Sequence, residues 1–166
     1  MQLSKSDIAS SIERLRDDVD YYGTFGKQFL SNSDVGALLS NPREFRVSRP
    51  DNQAFAKGRY FHQSLLEPEK LKDWEFVDSY SRNTNVYKQA VAESGKEVLM
   101  LNKEKEEMDA LVEIMTSNFE LYEQMYLNGN KFEVPGVKQF NGVWWKGKAD
   151  IISNDCIIDL KTTSNI

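Results

Sequence analysis

The sequence predicts an α/β (α+β) layer arrangement built around one mixed sheet. Two observations carry this. Apolar residues recur at helical spacing through the N-terminal part and again over "NKEKEEMDALVEIMTSNFELYEQMYLNGN", whereas from Lys131 onward the pattern changes to strands: "FEVPGVKQF", "GVWWKGKADII" and "CIIDLKT". The chain has 166 residues, of which 40% are hydrophobic, enough for one domain with its own core. The expected organisation is a single domain over 1–166. Residues 1–73 form its helical part, and residues 74–166 carry the long helix and the meander.

Each element has its own signal. Ile8, Ile12, Leu15 and Val19 repeat at helical spacing behind a cap at Ser4 or Ser6, which predicts an amphipathic helix over 5–20. "YYGTFGKQF" is an aromatic loop punctuated by glycine. "LSNSDVGALLSNPREF" predicts a short helix capped by Ser31 or Ser33, then a stop and restart at Asn41-Pro42. A further helix is expected over 52–66, with a turn at Pro68. Short strands are expected at Glu75–Asp78 and Lys96–Leu101, around a helix near 86–93. The long helix begins with Asn102 as its cap and ends at Asn128-Gly129. Its apolar stripe of Met108, Leu111, Met115, Tyr122 and Met125 or Tyr126 is expected to pack in the core.

Composition excludes several function classes. No apolar run approaches the roughly 18 residues of a membrane span, and "MQLSKSDIASSIERLRDD" lacks the apolar core of a secretory signal, so a cytoplasmic location is expected. Cys156 is the only cysteine and His62 the only histidine, which rules out an internal disulfide, a four-cysteine cluster and a zinc site with several histidines. Any metal would sit mostly on carboxylates. The formal net charge of −5 argues against coating DNA by electrostatics alone, so basic groups that meet nucleic acid would be local, inside a cleft or ring.

"GKADIISNDCIIDLKTT" concentrates the chemistry. A two-residue turn at Asn154-Asp155 is predicted, because Asn and Asp tolerate the left-handed backbone that tight hairpins use. Asp150 then faces Asp159, with Lys148 and Lys161 on the same face and Ala149, Ile151, Ile158 and Leu160 on the other. Directly opposed residues hold their Cβ atoms about 4.5–5.5 Å apart, so the two carboxylates repel unless something relieves them. Relief can come from protonation of one, from plain ion pairs with Lys148 and Lys161, or from a divalent cation on hard oxygen ligands. An Asp followed nine residues later by Asp-x-Lys is the nuclease-type arrangement, in which the lysine holds the attacking water or the developing phosphate charge.

Three segments in order give a resemblance. "KADIISNDCIIDLKTT" is similar to motifs II and III of the PD-(D/E)XK nuclease superfamily. "SNSDVGALLSNPREF" followed by "AFAKGRYFHQSLLEPEKL" resembles the N-terminal part of its RecE-like, exonuclease VIII-type branch of phage recombination enzymes. The resemblance covers most of residues 29–163, and it includes Gly58, His62, Leu65, Leu66, Glu67 and Pro68 in a "G-x-x-x-H…LLEP" segment.

The resemblance implies a restriction-endonuclease-like core with a mixed central sheet and a helical N-terminal region. It implies metal ligands at His62, Asp150, Asp159 and the backbone carbonyl of Leu160, with Lys161 as the motif III lysine. Taken without it, a single histidine among Phe61, Leu65 and Leu66 would be a packed core residue. The implied ion is Mg²⁺, with Mn²⁺ as the alternative. The implied reaction is hydrolysis of linear double-stranded DNA from its ends, 5′→3′, leaving single-stranded tails for recombination. The implied partners are DNA ends, a single-strand annealing protein and further copies of the same chain in a ring-like homo-oligomer. The implied setting is a bacterial host cell, with a phage or prophage gene. Two rivals stand beside this: an endonuclease of the same superfamily, and an inactive nuclease-like module that binds DNA or a partner.

Further residues have weaker claims. Glu133 opens the meander, either as a carboxylate behind the metal ligands or as a plain edge-strand residue. Lys146, Lys148 and Arg59 are candidates for DNA phosphate contacts. Trp144 and Trp145 point to opposite faces, so at most one can meet a base. Relatives of the resembled kind carry a helix with a Gln-x-x-x-Tyr element after motif III, and "DLKTTSNI" is followed by none, so the domain is expected to be truncated after motif III.

Overall fold

A computed structural model describes residues 4–47 and 50–163. In chain order the helices are α1 (Lys5–Arg14), α2 (Asp18–Tyr22), α3 (Asn32–Ser40), α4 (Gln53–Leu66), α5 (Asn85–Ser94), α6 (Asn102–Ser117) and α7 (Phe119–Tyr126). The strands are β1 (Phe76–Val77), β2 (Met100–Leu101), β3 (Lys131–Phe140), β4 (Val143–Ile152) and β5 (Ile157–Ile158). No described helix is long and apolar enough to cross a membrane. The chain divides into two compact units, one from Met1–Ser48 with Gly129–Asp159 and the other from Arg49–Asn128 with Leu160–Ile166, as far as these are described.

The first unit holds α1–α3 and the antiparallel sheet β3-β4-β5. Ser4 starts α1 by a capping box: its hydroxyl accepts from the Asp7 N–H, and the Asp7 carboxylate accepts from the Ser4 N–H. Ser31 and Asp34 start α3 in the same way. The helix expected over 5–20 is instead two helices. The Asp17 carboxylate accepts from the N–H groups of Val19 and Asp20 and starts α2 on a new axis. The Arg14 guanidinium then forks onto Asp20 at 2.9 and 2.8 Å. Val19 is consequently exposed rather than part of an apolar stripe.

Leu15, Tyr21 and Phe29 are the core of this unit, and Phe25, Val137 and Trp144 pack against them. Burying each of the larger apolar side chains contributes about 1.5–3 kcal/mol. Trp144 thus faces the helices, and Trp145 takes the other face of β4 by strand alternation. The outer edge of β4 is met by Leu30, whose N–H donates to the Trp144 carbonyl at 2.9 Å and whose carbonyl accepts from the Lys146 N–H at 2.8 Å.

The second unit holds α4–α7 and the parallel pair β1-β2, joined across α5. Val77, Tyr87, Leu99 and Leu101 form one core there. The Tyr87 hydroxyl donates to the Leu99 carbonyl at 3.0 Å and accepts from its N–H at 3.1 Å. α4 starts at Asn52, whose side chain accepts from the Phe55 N–H. It buries Ala56, Tyr60, Phe61, Leu65 and Leu66.

Several expectations change here. The long helix of residues 102–128 breaks at Asn118, whose side chain accepts from the Leu121 N–H and restarts the chain as α7. Asn102 lies inside α6 rather than capping it; the Glu104 carboxylate accepts from the Leu101 N–H instead. The expected stripe divides as well: Met108 and Met125 are buried, while Leu111 and Tyr122 are exposed. β1 and β2 have only two residues each, and the strand expected over "CIIDLKT" is paired only at Ile157–Ile158. Among the described residues the strands form two sheets rather than one mixed sheet.

Candidate metal centre

The β3–β4 ladder runs from Phe140↔Val143 at its turn to Lys131↔Ile152 at its far end. One step is missing, between Val134↔Ala149 and Phe132↔Ile151. The residues at that step are Glu133 and Asp150. The register is unchanged on either side, so no residue has been inserted. Instead Glu133 has φ 48°, in the left-handed region that a glutamate enters at a cost of about 1–2 kcal/mol. Backbone strain of this kind persists only where its surroundings enforce it, and it concentrates at functional sites.

The side chains at that step converge. Glu133 and Asp150 offer carboxylate oxygens within 4.8 Å of one another, and both residues are half-buried. Two ionised carboxylates at that distance repel by roughly 3 kcal/mol at an effective dielectric constant of about 20. A cation is the direct way to offset this. Lys148 supplies part of it, with Nζ 3.6 Å from Glu133 Oε2. Asp150, Lys148 and Asp159 also line an open groove of about 420 Å³ on this unit. Half-buried hard oxygen donors opening onto a groove suit Mg²⁺, which takes one or two carboxylates and keeps several waters.

The second hairpin keeps the expected register but is shorter. Ile152 pairs with Ile157 and Ile151 with Ile158, and the Ser153 N–H donates to the Cys156 carbonyl at 2.9 Å across the turn. The ladder ends there. Asp159 is exposed just beyond it, so it shares the groove with Asp150 without being paired opposite it. Neither Asn154 nor Asp155 takes a positive φ, against the left-handed turn expected for them.

Lys146 and Lys148 turn inward, toward Tyr21. The Lys148 side chain is only 9% exposed, and its Nζ lies 2.7 Å from Asp18 Oδ1. It also sits 4.7 Å from the centroid of the Tyr21 ring. The Lys146 ammonium lies 4.1 Å from the same centroid and donates to the Tyr21 carbonyl. Two cations over one ring exploit its negative π face. Burial lowers the Lys146 pKa from the usual lysine value, and Arg46, Lys148 and Lys27 nearby lower it further against the opposing pull of Asp34. Tyr21 is pushed up to about 12, first by burial and then by Tyr22 and Glu133. Lys148 is thus engaged by Asp18 and Glu133.

In the second unit, His62 is half-buried on α4, with its ring edge-on to Phe61 at 6.2 Å. Leu160 is buried and Lys161 exposed. A Cβ on Gly58, one turn before His62, would lie 3.9 Å from Thr162 Oγ1, so the segment after Leu160 passes over the glycine of the "G-x-x-x-H" pattern. Arg59 pairs with Asp51 and lies 5.8 Å from the Trp74 ring, so it too is engaged within the protein.

Sequence reasoning underweighted Glu133 and missed Asp18 and Tyr21. The only local hints were the acidic "RDDVDYY" run and the position of Glu133 at the start of the meander. A family described as a PDDEXK-like domain of unknown function (DUF3799) matches residues 27–166. The chain belongs to this family. No curated protein and no solved structure matches it. Membership confirms the PD-(D/E)XK superfamily and a nuclease-type α+β fold. Nucleases of this type typically use divalent metals, in keeping with the Glu133–Asp150 pair.

Proposed function

We propose that the protein is a divalent-metal-dependent nuclease that degrades linear double-stranded DNA from its ends. By its resemblance to RecE-like enzymes it works 5′→3′ and leaves single-stranded tails for recombination. The observation that carries the nuclease reading is the pair Glu133 and Asp150, held with oxygens within 4.8 Å of each other on the groove that Asp159 also lines. Asp150, Asp159 and Glu133 are the residues that would hold Mg²⁺ or Mn²⁺, and the resemblance adds His62 and the Leu160 carbonyl. Such an ion, when bound, lowers the pKa of a water and takes up charge on the scissile phosphate. Lys161 steadies the attacking water and the growing negative charge through its ammonium. The same reading includes DNA ends, a single-strand annealing protein and other copies of the chain as partners, in the cytoplasm of a bacterial host carrying a phage or prophage gene.

The test is incubation with end-labelled linear and closed circular duplex DNA, with Mg²⁺ or EDTA, for wild type and Asp159→Ala. Loss of linear DNA alone, dependent on Mg²⁺ and reduced by roughly 10³-fold in the variant, is the expected result, because a metal site supplies several kcal/mol of charge stabilisation. Cutting of circles would make the protein an endonuclease of the same superfamily. Binding of DNA with no Mg²⁺-dependent cleavage would make it a binding module.

A further inference from the structure

Lys148 follows a course that a DNA contact would not. It stands two residues before Asp150 on β4, on the same face, yet its ammonium is drawn back to Asp18 on α2 at 2.7 Å. The Tyr21 ring sits beneath it at 4.7 Å. From there it reaches Glu133 at 3.6 Å. With 9% of its side chain exposed, it has lost most of the water that would otherwise solvate it. An ammonium so placed fixes where its carboxylate partners stand.

Glu133 is the partner that needs fixing. Its φ of 48° is unfavourable for a residue with a Cβ, and the step it shares with Asp150 is not part of the regular ladder. Repulsion from Asp150 pushes its carboxylate outward, and the Lys148 ammonium 3.6 Å away opposes that. We infer that Lys148, seated on α2 by Asp18 and Tyr21, is a positioning residue that holds the Glu133 carboxylate beside Asp150 for a divalent cation. This rests on the metal-dependent reading above, and it makes a helix far away in sequence part of the metal centre.

The inference opposes simple electrostatics. By charge alone, removing a cation from beside carboxylates tightens a divalent cation. If Lys148 acts by position, removing it weakens binding. Groups that orient metal ligands typically account for about 10–100-fold in affinity. The experiment is Mn²⁺ titration by calorimetry on the metal-free full chain, with the urea midpoint of each variant measured in parallel. Wild type is expected to bind and Asp150→Asn to lose binding. A folded Lys148→Met should bind about 10–100-fold more weakly, and Lys148→Arg should recover most of that loss. Asp18→Asn, which removes the charge that seats Lys148, should weaken Mn²⁺ by a smaller factor.

A folded Lys148→Met that binds as tightly as wild type, or more tightly, overturns the inference while the metal reading stands. Should Lys148→Met fail to fold, unchanged affinity in Asp18→Asn overturns it instead. If wild type binds no Mn²⁺, the metal reading fails and the positioning role falls with it.

Discussion

Strand β4 is shared by two hairpins that differ in almost every respect. On one side, β3 and β4 meet at Asn141-Gly142, where both residues are left-handed, at φ 48° and 79°. The ladder that follows runs from Phe140↔Val143 to Lys131↔Ile152. On the other side, β4 and β5 meet at Asn154-Asp155, where neither residue is left-handed, and only two pairs form. The backbone twist of a left-handed two-residue turn matches the twist of paired strands, whereas turns without it splay them. The long hairpin is therefore a rigid platform. The short one releases its chain after Ile158, which leaves Asp159 at the groove instead of locked opposite Asp150. Two turn chemistries on one strand thus give one fixed carboxylate, Asp150, and one set by the chain beyond the ladder, Asp159.

Breaking the long turn should have the largest effect on stability. Nothing lies within 4 Å of a Cβ built on Gly142, so the cost of Gly142→Ala is conformational, about 1–2 kcal/mol for a left-handed residue other than glycine. The urea midpoint should fall accordingly. The matched change Asn154→Ala, in a turn that asks for no left-handed residue, should shift it by less than about 0.5 kcal/mol. Equal shifts from the two would remove the distinction between the hairpins.

Glu133 brings strain into the otherwise regular hairpin. Glu133→Gly relieves a left-handed glutamate and removes one of two carboxylates near each other, and Lys148 keeps Asp18 at 2.7 Å. In metal-free protein the variant should be more stable by about 1 kcal/mol. Metal-dependent cleavage should be lost in the same variant. Lower stability together with retained cleavage would show that Glu133 serves the fold and not the site.

These contrasts mark what could be read from the sequence. Capping at Ser4 and Ser31, the strands from Lys131 and the register of Ile152 against Ile157 in the second hairpin all follow from local rules, and the structure keeps them. The breaks at Asp17 and Asn118 use the same capping chemistry, but an apolar periodicity that continues through them conceals it. The Glu133–Asp150 approach depends on a left-handed glutamate, which no propensity favours. The Lys148–Asp18 pair joins residues on α2 and β4, and only the packing of Tyr21 and Trp144 in one core brings them together. The family resemblance supplied the acidic motif, but it said nothing of the cation behind it.

The smallest expected effect sharpens the comparison most. Asp155→Gly turns the second loop into Asn-Gly, the pair that favours left-handed two-residue turns. If turn chemistry sets the length of the ladder, β5 should lengthen toward Asp159. Stability should change by only a few tenths of a kcal/mol, because each new cross-strand pair contributes little and Asp159 would then meet Asp150 as a like charge. Slower amide exchange at Ile157 and Ile158 is the direct readout. The functional consequence is distinct: an Asp159 held in the ladder can no longer adjust to an ion bound at Glu133 and Asp150, so Mn²⁺ affinity should fall even as the hairpin becomes more ordered. A variant with slower exchange and unchanged affinity would show that the short hairpin is incidental to the site; faster exchange would show that something other than the turn ends β5.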